Sequence, residues 1–227
     1  MTREHYNDLL RQLDEQTCAL GDLVVQTIRE CVITLDALDA GRAQALIDAD
    51  TRIDELRHAI ESQVVLLLAT QQPMAGDLRL LVSMLSISTE LERIGDYCEG
   101  NAKLVLRMAA EPVNGSLNDI RTMAQVTEEL LLQTLQAFRL RDVELAGEVW
   151  LRDDEVDALY QQVFRRVLLE MVTDRATVRV GTYLLWVAHN FERMADRVTN
   201  IAEQVAFAVT GDVGVFRERL RSQSVPT

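Results

Sequence analysis

Residues 71–97 read QQPMAGDLRLLVSMLSISTELERIGDY. Pro73 cannot continue a helix that reaches it, so it turns the chain. Asp77 and Leu78 follow, and the spacing predicts a helix running on toward Met108. Upstream, Leu9, Leu13, Leu20, Val24, Cys31, Leu35 and Leu38 recur at helical steps and predict a first helix over about residues 4–38. Asp39-Ala40-Gly41 interrupts that stripe with a capping acid and a glycine, and a second helix is expected from Arg42 to Thr70. Downstream, EPVNGS at 111–116 is the strongest linker signal in the chain.

Beyond that linker the plan recurs, with helices expected over residues 117–140, 143–172 and 177–209. Asp50-x-x-Ile53-Asp54-x-Leu56 matches Asp153-x-x-Val156-Asp157-x-Leu159 at an offset of 103, and Glu92-Arg93-Ile94-Gly95-Asp96 matches Glu192-Arg193-Met194-Ala195-Asp196 at an offset of 100. A shorter second hairpin accounts for the change of three without breaking either helix. The fold class is therefore all-α, two tandem antiparallel three-helix bundles. Residues 1–112 form the first, 116–211 the second, and 212–227 a polar tail.

Composition agrees. The 227 residues are 48% hydrophobic, with only ten glycines and three prolines, enough for two modest helical cores. A net charge of −13 repels a phosphate backbone and argues against nucleic acid as a partner, while favouring basic surfaces or cations. No uncharged apolar stretch reaches 18 residues and the first residues, MTREHYNDLLRQLDE, lack a signal-peptide pattern. A cytoplasmic protein without membrane insertion is expected, with peripheral association open to it. Cys18, Cys31 and Cys98 form no C-x-x-C and read as small core residues.

Each unit carries two acid-x-x-x-Asp pairs, a spacing that puts both carboxylates on one helix face. In an antiparallel hairpin, positions equidistant from the turn stand level. Asp54 with Glu92 and Asp50 with Asp96 both centre on Pro73; Asp157 with Glu192 and Asp153 with Asp196 both centre between Asp174 and Arg175. Four carboxylates are thus level twice. If they face one another, like charge must raise some pKa values or recruit a cation, and an all-carboxylate donor set suits Fe, Mn, Mg or Ca. The structural alternative is pairing to Arg93 and Arg193, unless those reach to a neighbouring helix. His58 and His189 have Gln161 and Thr89 as their counterparts and read as surface or packing residues. A ferritin-like di-iron site requires Glu-x-x-His on two helices, which this sequence does not supply, His189-x-x-Glu192 standing in the reverse order; no Walker loop or dinucleotide motif is present, and no nucleophile has a base placed to serve it. No enzyme is expected.

The Q-P turn, D-L-R and E-L-E-R-I-G-D of 71–97, with the weaker copy FERMADRVTNIAE at 191–203, resemble the signature of the PhoU family. The resemblance spans the first helix to about residue 210. It implies two bundles related by a pseudo-twofold, and metal clusters, iron foremost and Mn, Mg, Zn or Ca as alternatives. The implied ligands are Asp50, Asp54, Glu92 and Asp96, then Asp153, Asp157, Glu192 and Asp196. It further implies a negative regulator of phosphate uptake and starvation signalling, an adaptor between the ATPase of an ABC-type phosphate importer and a sensor histidine kinase. A homodimer is expected. An accessory to a different phosphate carrier and a metal-storage protein are the alternatives. Two departures stand out: Gly100 occupies the place of the family's Asn, which Asn200 keeps, and Ala195 replaces Gly. Occupancy is therefore expected to differ between the halves.

Overall fold

The computed structural model describes residues 3–109 and 117–212, and all regular structure among them is helical. The linker reading at 111–116 and most of the expected tail lie outside the described residues. Helix α1 spans Arg3–Ala37, α2 Ala40–Gln71 and α3 Gly76–Met108; α4 spans Asn118–Leu140, α5 Val143–Leu151, α6 Asp153–Thr173 and α7 Val178–Thr210.

The α1–α2 and α4–α5 turns are built alike. Leu38 (φ 48°) and Arg141 (φ 56°) end their helices in the left-handed region. The next residue caps the following helix: Asp39 accepts from the backbone N–H groups of Gly41 and Arg42, and Asp142 from those of Glu144 and Leu145. The expected capping acid at 39 is thus in place, with a twin 103 residues on. At the tip of the other hairpin, residues 72–75 join α2 to α3 through left-handed Gln72. Residues 174–177, including a 3-10 turn at Arg175–Thr177, join α6 to α7, and Asp174 accepts from the Ala176 N–H.

Two expectations need correcting. The helix expected over 143–172 is broken at Arg152 (φ −94°, ψ 4°), whose N–H bonds to Val149 at 3.0 Å. Asp153, Asp154 and Glu155 follow in the first turn of α6, where three acids suit the positive end of a helix. Arg152 holds the bend by donating to both oxygens of Glu155 at 2.9 Å and to Gln133 of α4 at 3.1 Å. The change of repeat offset also lies elsewhere than in the loop. Both connections are four residues long, and the three missing residues come from the helical arms between the acids and the tip, one in α6 and two in α7.

Buried residues form one continuous cluster through both halves. Helix α3 packs on α2 and α1, α7 on α4, α5 and α6, and α3 lies against α7. Asn190 donates to the fully buried Asn101 at 2.8 Å across that seam. Ion pairs stitch α1 to α4 at the surface: Asp14–Arg141, Asp22–Arg139, Arg29–Glu128 and Asp36–Arg121. Each contributes at most about 1 kcal/mol, so apolar burial carries the association and the charges fix its register.

Candidate functional site

The hairpin geometry does bring the predicted acids into each other's fields. On α2 and α3, Asp50, Asp54 and Glu92 are half-buried and Asp96 is exposed. Asp50 reaches the face of α3: a Cβ built on Gly95 would stand 3.2 Å from its Oδ1 and 2.8 Å from Ile53 Cδ1. The missing side chain at 95 is what admits Asp50 and Ile53 this close. Burial pushes the Asp50 carboxyl up to about 6, helped by Asp96, Glu99, Asp54 and Glu92. Glu92 is raised by burial and by Asp96, with Arg57 opposing. Asp96 is raised by burial, then by Asp54 and Glu99.

In the second half, Asp153, Glu192 and Asp196 are half-buried and Asp157 is exposed. Asp153 rises to about 6 through burial, then Asp157, Asp196, Asp154 and Glu192. It does so although it opens α6, where the helix dipole favours a carboxylate. Burial and Asp196 likewise raise Asp157 and Glu192. Glu192 Oε2 is buried without a hydrogen-bond partner among the described residues and lies 3.3 Å from His189 Nδ1.

All eight predicted acids are therefore placed as two groups of four that feel one another's charge. Among the described residues no three acidic, histidine or cysteine side chains close into a ligand cage. The acids are neighbours by field, not by ready-made coordination. As a donor set they fit a hard divalent cation: all oxygen, mutually repelling, with an orphaned buried oxygen at Glu192.

The arginine alternative takes a different form from the one expected. Arg193 does reach the neighbouring helix, its Nε donating to Tyr97 Oη at 2.7 Å with the guanidinium over that ring. The cation that faces the first cluster is Arg57, with Nη1 2.8 Å from Glu61 and Nε 3.7 Å from Glu92. Its place in the repeat is taken by Tyr160, so the second cluster has no such arginine. His58 is exposed and bonds to the Asp54 carbonyl, as a surface residue does. His189 packs against the Tyr160 and Trp186 rings, in keeping with a packing role, and its Nδ1 also lies 3.3 Å from Glu192. Asn200 donates to Glu90 of the first half at 3.4 Å, beside the Glu90–Arg197 pair. Sequence spacing missed Arg57, Glu99 and Asp154; each lies three residues from a predicted acid and was findable by the same rule.

Similarity to known proteins follows the same outline. The PhoU domain model matches residues 17–105 and 120–205. The chain is 36% identical to a phosphate-specific transport system accessory protein PhoU homolog of Caulobacter vibrioides, over 93% of this chain and 92% of that protein. It is 33% identical to the one of Clostridium acetobutylicum, over 93% and 97%. The crystal structure of PhoU from Pseudomonas aeruginosa superposes with a TM-score of 0.87 at 28% identity, covering 91% of this chain and all of that one. For the phosphate transport system regulatory protein PhoU from Streptococcus pneumoniae the TM-score is 0.85 at 28% identity, over 92% and 98%. Fold and repeat thus meet in one assignment: the chain belongs to the PhoU family, whose members here are accessories of phosphate transport.

Proposed function

We propose that this protein is a cytoplasmic negative regulator that restrains an ABC-type phosphate importer when phosphate is abundant and keeps an associated sensor histidine kinase from activating starvation genes. The observation that supports this most is the end-to-end match to phosphate-transport accessory proteins. The chemistry is compatible. Among the described residues no helix is long and apolar enough to cross a membrane. Work is done by binding, and basic partner surfaces suit the −13 charge. Divalent cations held by Asp50, Asp54, Glu92 and Asp96, and by Asp153, Asp157, Glu192 and Asp196, would neutralise the two clusters and lock α2 to α3 and α6 to α7. The same reading has the protein act as a homodimer.

The partner surface can be probed where the acids are open. Asp14 and Glu128 are poor choices, since each is tied to an arginine of the other half. Glu15 and Glu129 remain more than half exposed. Glu15→Lys with Glu129→Lys should weaken association with the importer ATPase or the kinase in a salt-sensitive way, helicity unchanged. If the wild-type chain associates with neither at low salt, the adaptor reading is wrong.

A further inference from the structure

At one repeat position the second half crosses between its helices with Arg152, whereas the first half has only Ala49 there and leaves a groove. Between α1 and α2 lies a groove of about 370 Å³. Leu23 and Leu46 line its apolar part, Gln26, Glu30 and the Arg42 that pairs with it its polar side, and Ala49 and Thr34 contribute to it as well. Thr34 is 2% exposed, and its hydroxyl has no hydrogen-bond partner among the described residues. Burying an unpaired hydroxyl costs free energy, which a polar group entering the groove would recover.

The second half indicates which group. The register is fixed by the twin caps Asp39 and Asp142 and the twin left-handed residues before them. At that offset Ala49 corresponds to Arg152, Gln26 to Glu129 and Glu30 to Gln133. Arg152 crosses to α4, donating to Gln133 at 3.1 Å and lying 3.9 Å from Glu129. A guanidinium therefore rests on the α4 positions whose first-half equivalents line the open groove.

We propose that the α1–α2 groove receives the arginine side chain of a partner protein, as α4 and α5 receive Arg152. This rests on reading the chain as an accessory that works by binding proteins. The methylenes of the incoming side chain lie along Leu23 and Leu46, and its planar fork meets Glu30, Gln26 and the Thr34 hydroxyl. Glu30 is presently held by Arg42 at 3.4 Å, at the exposed rim, a contact weak enough to exchange. The acidic charge of the whole chain favours the approach.

The test titrates the isotopically labelled full chain with the capped peptide Ac-Ala-Arg-Ala-NH2 and its lysine and citrulline counterparts, read by amide chemical shifts. Saturable shifts around 23–34 and 42–49 are expected, at least tenfold weaker for lysine and citrulline. Ala49→Arg, at an exposed position, should fill the groove and abolish them; Thr34→Val, nearly isosteric, should weaken them. Arg152→Ala should open the second copy and add a second set of shifts near Gln133. Absence of shifts in the wild type, or shifts that survive in Ala49→Arg, overturns the proposal; so does free arginine binding as tightly as the peptide, which would assign the groove to a small molecule. Peptide binding without association to importer ATPase or kinase would sink the functional reading and leave the groove standing. Association that Ala49→Arg leaves unchanged would do the reverse.

Discussion

The first carboxylate cluster is built on an unbroken α2, has Gly95 beneath Asp50 and faces Arg57; the second opens α6 at a break, has Ala195 in place of the glycine and faces His189. The same four acids thus sit in two electrostatic settings. Arg57 is a permanent positive charge that offsets part of the first cluster, whereas an imidazole offsets the second only when protonated. Arg93 and Arg193 act alike on Glu92 and Glu192, so Arg57 gives the first cluster a permanent compensation that the second lacks, and Glu192 carries a buried oxygen without a hydrogen bond. A divalent cation should therefore bind the second cluster more tightly than the first.

The largest expected effect removes one cluster at a time. Glu192→Ala with Asp196→Ala should lower cation affinity at the second site by more than about 100-fold, beyond the range typical of outer-shell changes. Glu92→Ala with Asp96→Ala should empty the first and spare the second. Metal content of protein purified without chelator, with calorimetric titration of Mn2+, checks both. If neither pair alters binding, the clusters are not the sites.

Arg57→Ala should sharpen the comparison by raising first-site affinity several-fold, bringing the two halves together. Equal affinities in the wild type, or no change in this variant, would break the argument from Arg57.

Smaller still are the effects at the paired small residues. Ala195→Gly should destabilise by about 1–2 kcal/mol, through the helix cost of glycine and a lost buried methyl. Gly95→Ala should stay within about 1 kcal/mol of zero, because the helix gain opposes crowding of Ile53 and Asp50, side-chain tips that can move. Denaturant unfolding of the two variants distinguishes this asymmetry from symmetric behaviour.

The pH response has a definite sign. Asp50 and Asp153 hold their protons up to about 6 in the folded chain, above the ordinary carboxylate value they return to on unfolding. Between about pH 4 and 6 the folded state binds more protons, so this contribution to stability is present at the acid end and is lost as pH rises through 6. In chelator, Asp50→Asn with Asp153→Asn should raise Tm at pH 7.5 relative to wild type and flatten its fall from pH 5.5. A wild-type Tm that climbs over that window without the double variant changing the slope would contradict it.

Much of this was legible in the chain itself. The apolar stripes, Asp39 and the Pro73 turn located the helices, because each rests on a local rule that tertiary packing here reinforces. The level pairing of acids followed from antiparallel rise alone. What could not be read was the break at Arg152, since the apolar period continues through it and the bend depends on Gln133 and Glu129, distant in sequence. Spacing puts Arg57 one turn from Asp54, yet the acid it meets, Glu92, stands on the facing helix, which only the fold shows.

Whether this chain restrains phosphate acquisition is decided by the expression of phosphate-starvation genes in a deletion strain grown with abundant phosphate. Those genes should stay on without the protein and be silenced again by the wild-type chain. Normal repression in the deletion strain would contradict it.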